Sequence, residues 1–323
     1  MAGNDVMLNE YRALTDGAAL QARPDGGALL LADADRVDFL QRMTTNNIAA
    51  LRPGQSCVTV LTSPTAKIVH VFTVLQRTDD LLLLPARGET AALARALRGQ
   101  IFFMDKVRVE ERSAAYTRMR LMGPGASAAL ASALASADWA AEGMEDGDWR
   151  EQDGVLVVLQ RQYDVPGYEL LVEAGREAEV RDRLLAAGVT PLGSDDAYHA
   201  RRVELGRPLP GAELLGEYNP LEVGLAWACA ENKGCYTGQE IIARQITYDK
   251  VTRALVGITA APGAELPSPG APLHFDGRAA GVVTSTAYSP ARNAPLGLAI
   301  VKRPLDAPGT VLQAGEGAVV VGV

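Results

Sequence analysis

Residues 233–240 read KGCYTGQE and set an ammonium, a thiol and a helix start within one short stretch. The thiolate, not the thiol, is the nucleophile and metal ligand, and a nearby cation or helix N-terminus favours it. Thr237, Gly238, Gln239 and Glu240 fit a capping box. In that motif the Thr237 hydroxyl takes the N–H of Glu240, and Glu240 reaches back to the N–H of Thr237. A helix is expected over GQEIIARQI, and Gly234 permits a positive φ just before the cysteine. Cys235 would then sit two residues ahead of a helix cap and beside Lys233, with a lowered pKa that Glu231 and Glu240 oppose. The plainer reading is a buried small apolar residue. Cys57 lies in a strand pattern and Cys229 in the apolar run GLAWACA, and both read as core.

Composition narrows the classes of function. A chain of 323 residues exceeds one comfortable core and points to two or three domains. The net charge of −8 excludes a broad phosphate footprint, so no nucleic-acid partner is expected. The N-terminal stretch has acids and no apolar signal region, and no long uncharged apolar run occurs, so neither a secretion signal nor a membrane span is expected. Three cysteines and three histidines lack zinc, cluster or disulfide spacing. No metal site is expected, and the cytoplasm is the expected compartment.

The elements that must position the thiol follow from periodicity. ALLLAD (28–33) reads as a buried strand, followed by a helix over ADRVDFLQRM that Asp33 or Asp35 would cap. Strands are expected at 56–63, 67–77 and 79–86, then a helix over GETAALARALRGQ and a strand over KVRVEER. YTRMRLMGPGASAALASALA repeats the strand, turn, helix pattern. Residues 136–151 read as an acidic loop, 154–161 and 168–174 as strands, and 176–188 as a helix closed by Gly188. These are two α/β units with antiparallel hairpins, not a doubly wound parallel sheet. After residue 250 only short strands between Gly and Pro turns remain, the pattern of a small β-barrel or sandwich.

The signature KGCYTGQEIIAR closely resembles that of the folate-binding YgfZ family, which is related to the glycine-cleavage T-protein. The pattern is K-G-C-[FY]-x-G-Q-E followed by a basic residue, met here by Lys233, Gly234, Cys235, Tyr236, Gly238, Gln239 and Glu240, with Arg244 beyond. LADADRVDFLQRMTTNNIAALRPGQ, GYELLV, RRVELGRPLPGAEL, NPLEVGL, GVVTSTAYSP and LGLAIVKR are similar to other blocks of that family, so the resemblance spans nearly the whole chain.

The resemblance implies an α+β, three-domain cloverleaf, with two α/β domains, a C-terminal β-barrel and tetrahydrofolate in a central opening. It places residues 1–48 and 118–249 in the first domain, 49–117 in an inserted second, and 250–323 in the barrel. It implies a tetrahydrofolate-binding accessory protein of iron–sulfur cluster assembly or repair, with Cys235 essential and with assembly proteins or client enzymes as partners. Glu204 matches the acid that contacts the pterin, and a carboxylate suits a paired N–H donor. Tyr168 and Asn46 would line the pocket, and Lys233 and Arg244 would meet the glutamate tail. Gln239 and Glu240 read as structural. The T-protein segment N-A-x-N-x-x-K-D supplies an aspartate for methylene transfer; the matching stretch here is PARGETAA, with Ala92 at that position. A folate-dependent one-carbon transferase, resembling an aminomethyltransferase, is therefore the alternative, and a non-catalytic protein-binding module a third reading.

Overall fold

Four consecutive leucines, Leu81–Leu84, fit a strand that is buried on both faces, and the fold supplies both covers. The computed structural model describes residues 2–134 and 143–322. They divide into two compact units: Met1–Thr62, Val69–Ser194 and Ala228–Thr237 form the first, and Ser63–Ile68, Asp195–Trp227 and Gly238–Val323 the second.

The chain runs through α1 (Ala2–Asp16), β1 (Ala19–Arg23), β2 (Leu29–Ala32), α2 (Arg36–Met43), β3 (Ser56–Thr62), β4 (Ile68–Gln76), β5 (Leu81–Pro85), α3 (Thr90–Arg98), β6 (Arg108–Glu111), β7 (Tyr116–Met122), α4 (Ala126–Ala133), β8 (Trp149–Gln152), β9 (Val155–Gln160), β10 (Gly167–Glu173), α5 (Glu177–Ala186) and β11 (Thr190–Pro191). Among the described residues these strands form two sheets, ordered β3-β4-β5-β2-β6 and β11-β1-β7-β10-β9-β8. The ladders are antiparallel, with Tyr168 opposite both Leu121 and Leu159, except that β1 and β11 run parallel.

Period-two alternation sorts the side chains. Leu81 and Leu83 join Leu29, Leu31, Phe72 and Val74 against α2 and α3. Leu82 and Leu84 instead meet Leu156, Val158 and Leu171, which come from the other sheet. The far face of that second sheet carries Leu121, Tyr168, Leu170 and Val172, packed with Leu130 of α4 and Val180 and Leu184 of α5.

The second unit holds α6 (Asp196–Glu204), α7 (Gln239–Thr247) and the strands β12 (Arg253–Ala260), β13 (Pro272–Phe275), β14 (Arg278–Ser289), β15 (Ala294–Lys302), β16 (Val311–Ala314) and β17 (Gly317–Val321). They close into a barrel in the order β12-β15-β14-β13-β16-β17, around Ile258, Leu273, Val283, Ala299, Leu312 and Val319. The expected α+β class, with two α/β sheets and a terminal barrel, is therefore met.

Two local expectations need correction, and one helix was not expected. Asp35 stands at the α2 N-cap without capping it, because its carboxylate accepts the N–H of Lys106 at 2.8 Å. The acidic stretch read as a loop ends in strand β8, which pairs with β9; residues 135–142 lie outside the described residues. Helix α1, which lies outside the elements expected from periodicity, buries Tyr11 and Leu14, three positions apart. No helix among the described residues is long and apolar enough to cross a membrane.

Candidate functional site: the KGCYTGQE turn

Residues 228–237 are stitched to the end of α2 and the residues just after it, 41–46, and to Thr62 at the end of β3. Ala230 donates its N–H to the Thr45 carbonyl at 3.0 Å, and the Thr45 hydroxyl donates to the Ala228 carbonyl at 2.7 Å. Gln41 donates to the Lys233 carbonyl at 2.8 Å. At the other end Thr237 donates its N–H to Arg42, and the Thr62 hydroxyl donates to the Thr237 carbonyl at 2.6 Å. Between these two fastenings Gly234 takes φ +86°, as expected, and Cys235 is exposed. The turn is thus held on either side of a thiol that faces solvent.

The capping box does not form. The N-cap of α7 is Gly238 at φ +83°, with no side-chain cap. A Cβ there would stand 2.8 Å from the Ser63 carbonyl oxygen, so glycine is required by space as well as by φ. Thr237 is committed to Arg42 and Thr62, and Glu240 pairs with Arg244 at 2.7 Å on the exposed face of α7.

Lys233 does not serve Cys235 either. Its ammonium is buried, donates to the carbonyl oxygens of Thr44 and Asn46, the latter at 2.7 Å, and lies 4.9 Å from the Tyr236 ring centroid. Desolvation pulls its pKa from 10.5 down to about 8, and the nearby Cys57 and Cys229 thiols partly oppose this. Burial pushes the thiols of Cys57 and Cys229 up to about 12, with Lys233 opposing, and it also raises the Tyr236 phenol. The cation that the sequence analysis set beside Cys235 therefore faces the other two cysteines, both protonated at neutral pH. Cys229 is core, as expected; Cys57 is only partly buried, at the margin of the core under α2 and α3.

The remaining expected residues divide between the two units. Asn46 joins Lys233 through its carbonyl, while its amide donates to Val58 at 2.8 Å and accepts the N–H of Asn47. Tyr168 is packed in the apolar core against α4 and α5. Glu204 belongs to the second unit, with a side chain 6 % exposed; one oxygen accepts the Ser289 hydroxyl at 2.5 Å and the other pairs with Arg201 at 2.9 Å. Arg244 is exposed.

The sequence reading missed a buried charge network on the inner face of the β1-β7-β10 sheet. Glu169, 1 % exposed, accepts Arg118 Nε at 2.7 Å and Arg23 Nη1 at 3.3 Å, and Asp164 pairs with Arg23 at 2.6 Å. Arg120, fully buried, donates to Gln160 Oε1 at 2.7 Å and the Val165 carbonyl at 2.7 Å. Three guanidinium groups thus face two carboxylates. The alternation in YTRMRLM and GYELLV was the available signal; it reads as a wet face, but a second sheet covers it. Among the described residues no group of three His, Cys, Asp or Glu could hold a metal ion.

Comparison with known proteins adds the ancestry. The family model of the GCVT N-terminal domain matches residues 4–233, and that of the glycine cleavage T-protein C-terminal barrel domain matches 253–319. The chain is 31 % identical over 292 residues to a candidate chloroplastic transferase of Arabidopsis thaliana, covering 90 % of this chain and 66 % of that relative's length. It is 29 % identical over 318 residues to an aminomethyltransferase of Geobacillus kaustophilus, covering 94 % and 84 % of the two chains. The crystal structure of the glycine cleavage system aminomethyltransferase T from Bartonella henselae superposes with a TM-score of 0.85 over 98 % of this chain and 88 % of that one, at 21 % identity, which shows a shared fold.

Proposed function

The chain belongs to the glycine-cleavage T-protein family, and on that premise we propose that it is a YgfZ-type member: a tetrahydrofolate-binding protein that supports iron–sulfur cluster assembly or repair, with Cys235 as its working thiol. The observation that carries this reading is the contrast among its cysteines. Cys235 is exposed on a turn fastened at Lys233 and Thr237, whereas the thiols of Cys57 and Cys229 are held protonated. A soft, accessible, positioned sulfur suits a metal or a cluster protein as partner. The folate-contacting residues under this reading remain Glu204, Tyr168, Asn46, Lys233 and Arg244, its compartment the cytoplasm, and its domains 1–48 with 118–249, 49–117 and 250–323.

Folate-dependent one-carbon transfer is the second reading, favoured by the near full-length match to aminomethyltransferases. Two measurements separate the readings. Calorimetry with tetrahydrofolate is expected to show binding, weakened in Glu204→Ala by on the order of 1.5–3 kcal/mol; no heat from the wild type ends the folate claim. Peptide-resolved alkylation is expected to label Cys235 first, and Cys235→Ser is expected to fold but fail to sustain iron–sulfur enzymes in cells lacking the native protein. Full complementation by the serine variant removes the thiol from the function.

A further inference from the structure

Phe102, Phe103 and Met104 are 68 %, 97 % and 73 % exposed, the one place among the described residues where three exposed large apolar side chains follow one another. They lie between α3 and β6, and their neighbours keep them from turning inward. Ile101 and Val107, on either side, pack against the core under α2 and α3. Asp105 donates its N–H to the Phe102 carbonyl at 2.9 Å, and its carboxylate accepts the Phe102 N–H at 2.9 Å. A tight turn results, with Phe103 and Met104 at its middle. Arg42 holds the same carboxylate at 2.6 Å. Asp35 donates its N–H to the Lys106 carbonyl at 3.0 Å, and Lys106 returns its own N–H to the Asp35 carboxylate at 2.8 Å. The tip is therefore a fixed projection whose apolar side chains folding leaves in water, and such a run marks a contact surface.

The charge around the tip selects its occupant. The bonds that fix it gather Asp35 and Asp105 with Arg42 and Lys106, and Arg42 also reaches Asp38, at 3.3 Å, whose side chain is 83 % exposed. At the foot of the tip Arg98 adds a cation, donating to the Val109 carbonyl at 2.8 Å. The signs balance here, in a chain whose net charge is −8. Net charge of one sign keeps copies of a chain apart. Two copies related by a two-fold axis present the same patch to each other, so a patch bearing both signs is complementary to itself. An anionic bilayer finds no such match, because Asp35 and Asp38 stand beside the tip. The three apolar side chains offer on the order of 450 Å² per copy, against about 800 Å² per partner in a stable complex, so the contact is weak and needs the charged rim to complete it.

We propose that the Phe102–Met104 tip is a contact with a second copy of this chain, in which the two tips pack together and Lys106 of each copy faces Asp38 of the other. Sedimentation equilibrium of the full chain at low salt is the test. The wild-type mass is expected to rise from one chain toward two between about 5 and 500 μM, the range of a small interface. Phe103→Ser, at a position almost wholly in water, is expected to keep the wild-type melting temperature and to weaken association at least about tenfold. If its melting temperature falls, Met104→Ser carries the same readout. Lys106→Glu and Asp38→Lys are each expected to stay monomeric alone, because like charges then face each other, and to associate when mixed, because the mixture restores both pairs. A wild-type mass that stays at one chain overturns the proposal. So does association unchanged by the serine variants, or a mixture no tighter than its separate components. Vesicles of equal parts phosphatidylcholine and phosphatidylserine test for a lipid occupant, and the wild type is expected to remain in the supernatant. Co-sedimentation that Phe103→Ser abolishes assigns the tip to a membrane and overturns the second copy.

Discussion

Two buried sites in the first unit handle positive charge in opposite ways. On the inner sheet face Arg23 and Arg118 meet the carboxylates of Asp164 and Glu169, and Arg120 meets Gln160 and backbone carbonyls. At the signature turn Lys233 meets, among the described residues, carbonyl oxygens, two thiols and an aromatic ring. A guanidinium stays charged at any relevant pH, so burying it demands permanent partners. An ammonium among dipoles is charged conditionally, and its pKa falls to about 8. The first site is a structural weld, and the second is a fastening that depends on its proton.

The largest expected effect comes from breaking the weld. Glu169→Ala leaves Arg118 and Arg23 buried without their shared carboxylate. Removing one partner of a buried pair costs about 3–5 kcal/mol. Urea unfolding should show that loss or an unfolded protein; a loss below about 1 kcal/mol would mean that water already reaches the network.

The fastening is tested by pH. Lys233 binds its proton more weakly in the fold, about 8 against 10.5, so between those values the unfolded chain holds more protons and stability rises with pH from this group. Cys57 and Cys229 act in the opposite sense. Their thiols, raised from 9.0 to about 12, keep protons that the unfolded chain has lost, so stability falls with pH across that window. The difference between wild type and Lys233→Met isolates the lysine. It should favour wild type progressively from about pH 8 upward, staying under the single-proton ceiling of about 1.4 kcal/mol per pH unit. A flat difference would mean that the ammonium is solvated.

These contrasts also mark what the sequence makes legible. The barrel announces itself, because Gly and Pro punctuate every strand after residue 250 and the apolar residues alternate. The leucine run fixes a doubly covered strand. The buried network stays hidden, because alternation reports which residues share a face and not whether water or another sheet lies over it. The turn fails for a related reason: the sequence gives Lys233 its place beside Cys235 but not the direction of a flexible four-carbon chain, which reaches back to Thr44 and Asn46. Gly238 was the visible warning against the capping box, since a glycine at that point offers φ >0 and displaces threonine from the cap.

Labelling sharpens the comparison among thiols. At pH 8 iodoacetamide should modify Cys235 and leave Cys229 intact until the chain unfolds, because burial both raises that thiol and blocks access. Lys233→Gln removes a cation that favours the thiolates of Cys57 and Cys229, so Cys57 should label more slowly than in wild type. Faster labelling would show that the lysine's chief effect is to keep reagent out.

The smallest effect is expected where an ion pair is fully wet. Glu240 and Arg244 are separated by one helical turn at 2.7 Å, with both side chains mostly exposed. Such a pair is worth about 0.3–0.5 kcal/mol and fades with salt. Glu240→Ala should therefore cost no more than that, and the loss should shrink in high salt. A capping box would behave differently, since losing its reciprocal bond costs about 1 kcal/mol and depends little on ionic strength. A salt-insensitive loss of that size would restore Thr237 as the cap and overturn the geometry in which Gly238 begins the helix. A small, screened loss leaves the order of the three sites in stability set by burial: weld, conditional fastening, and a surface pair that adds little to the fold.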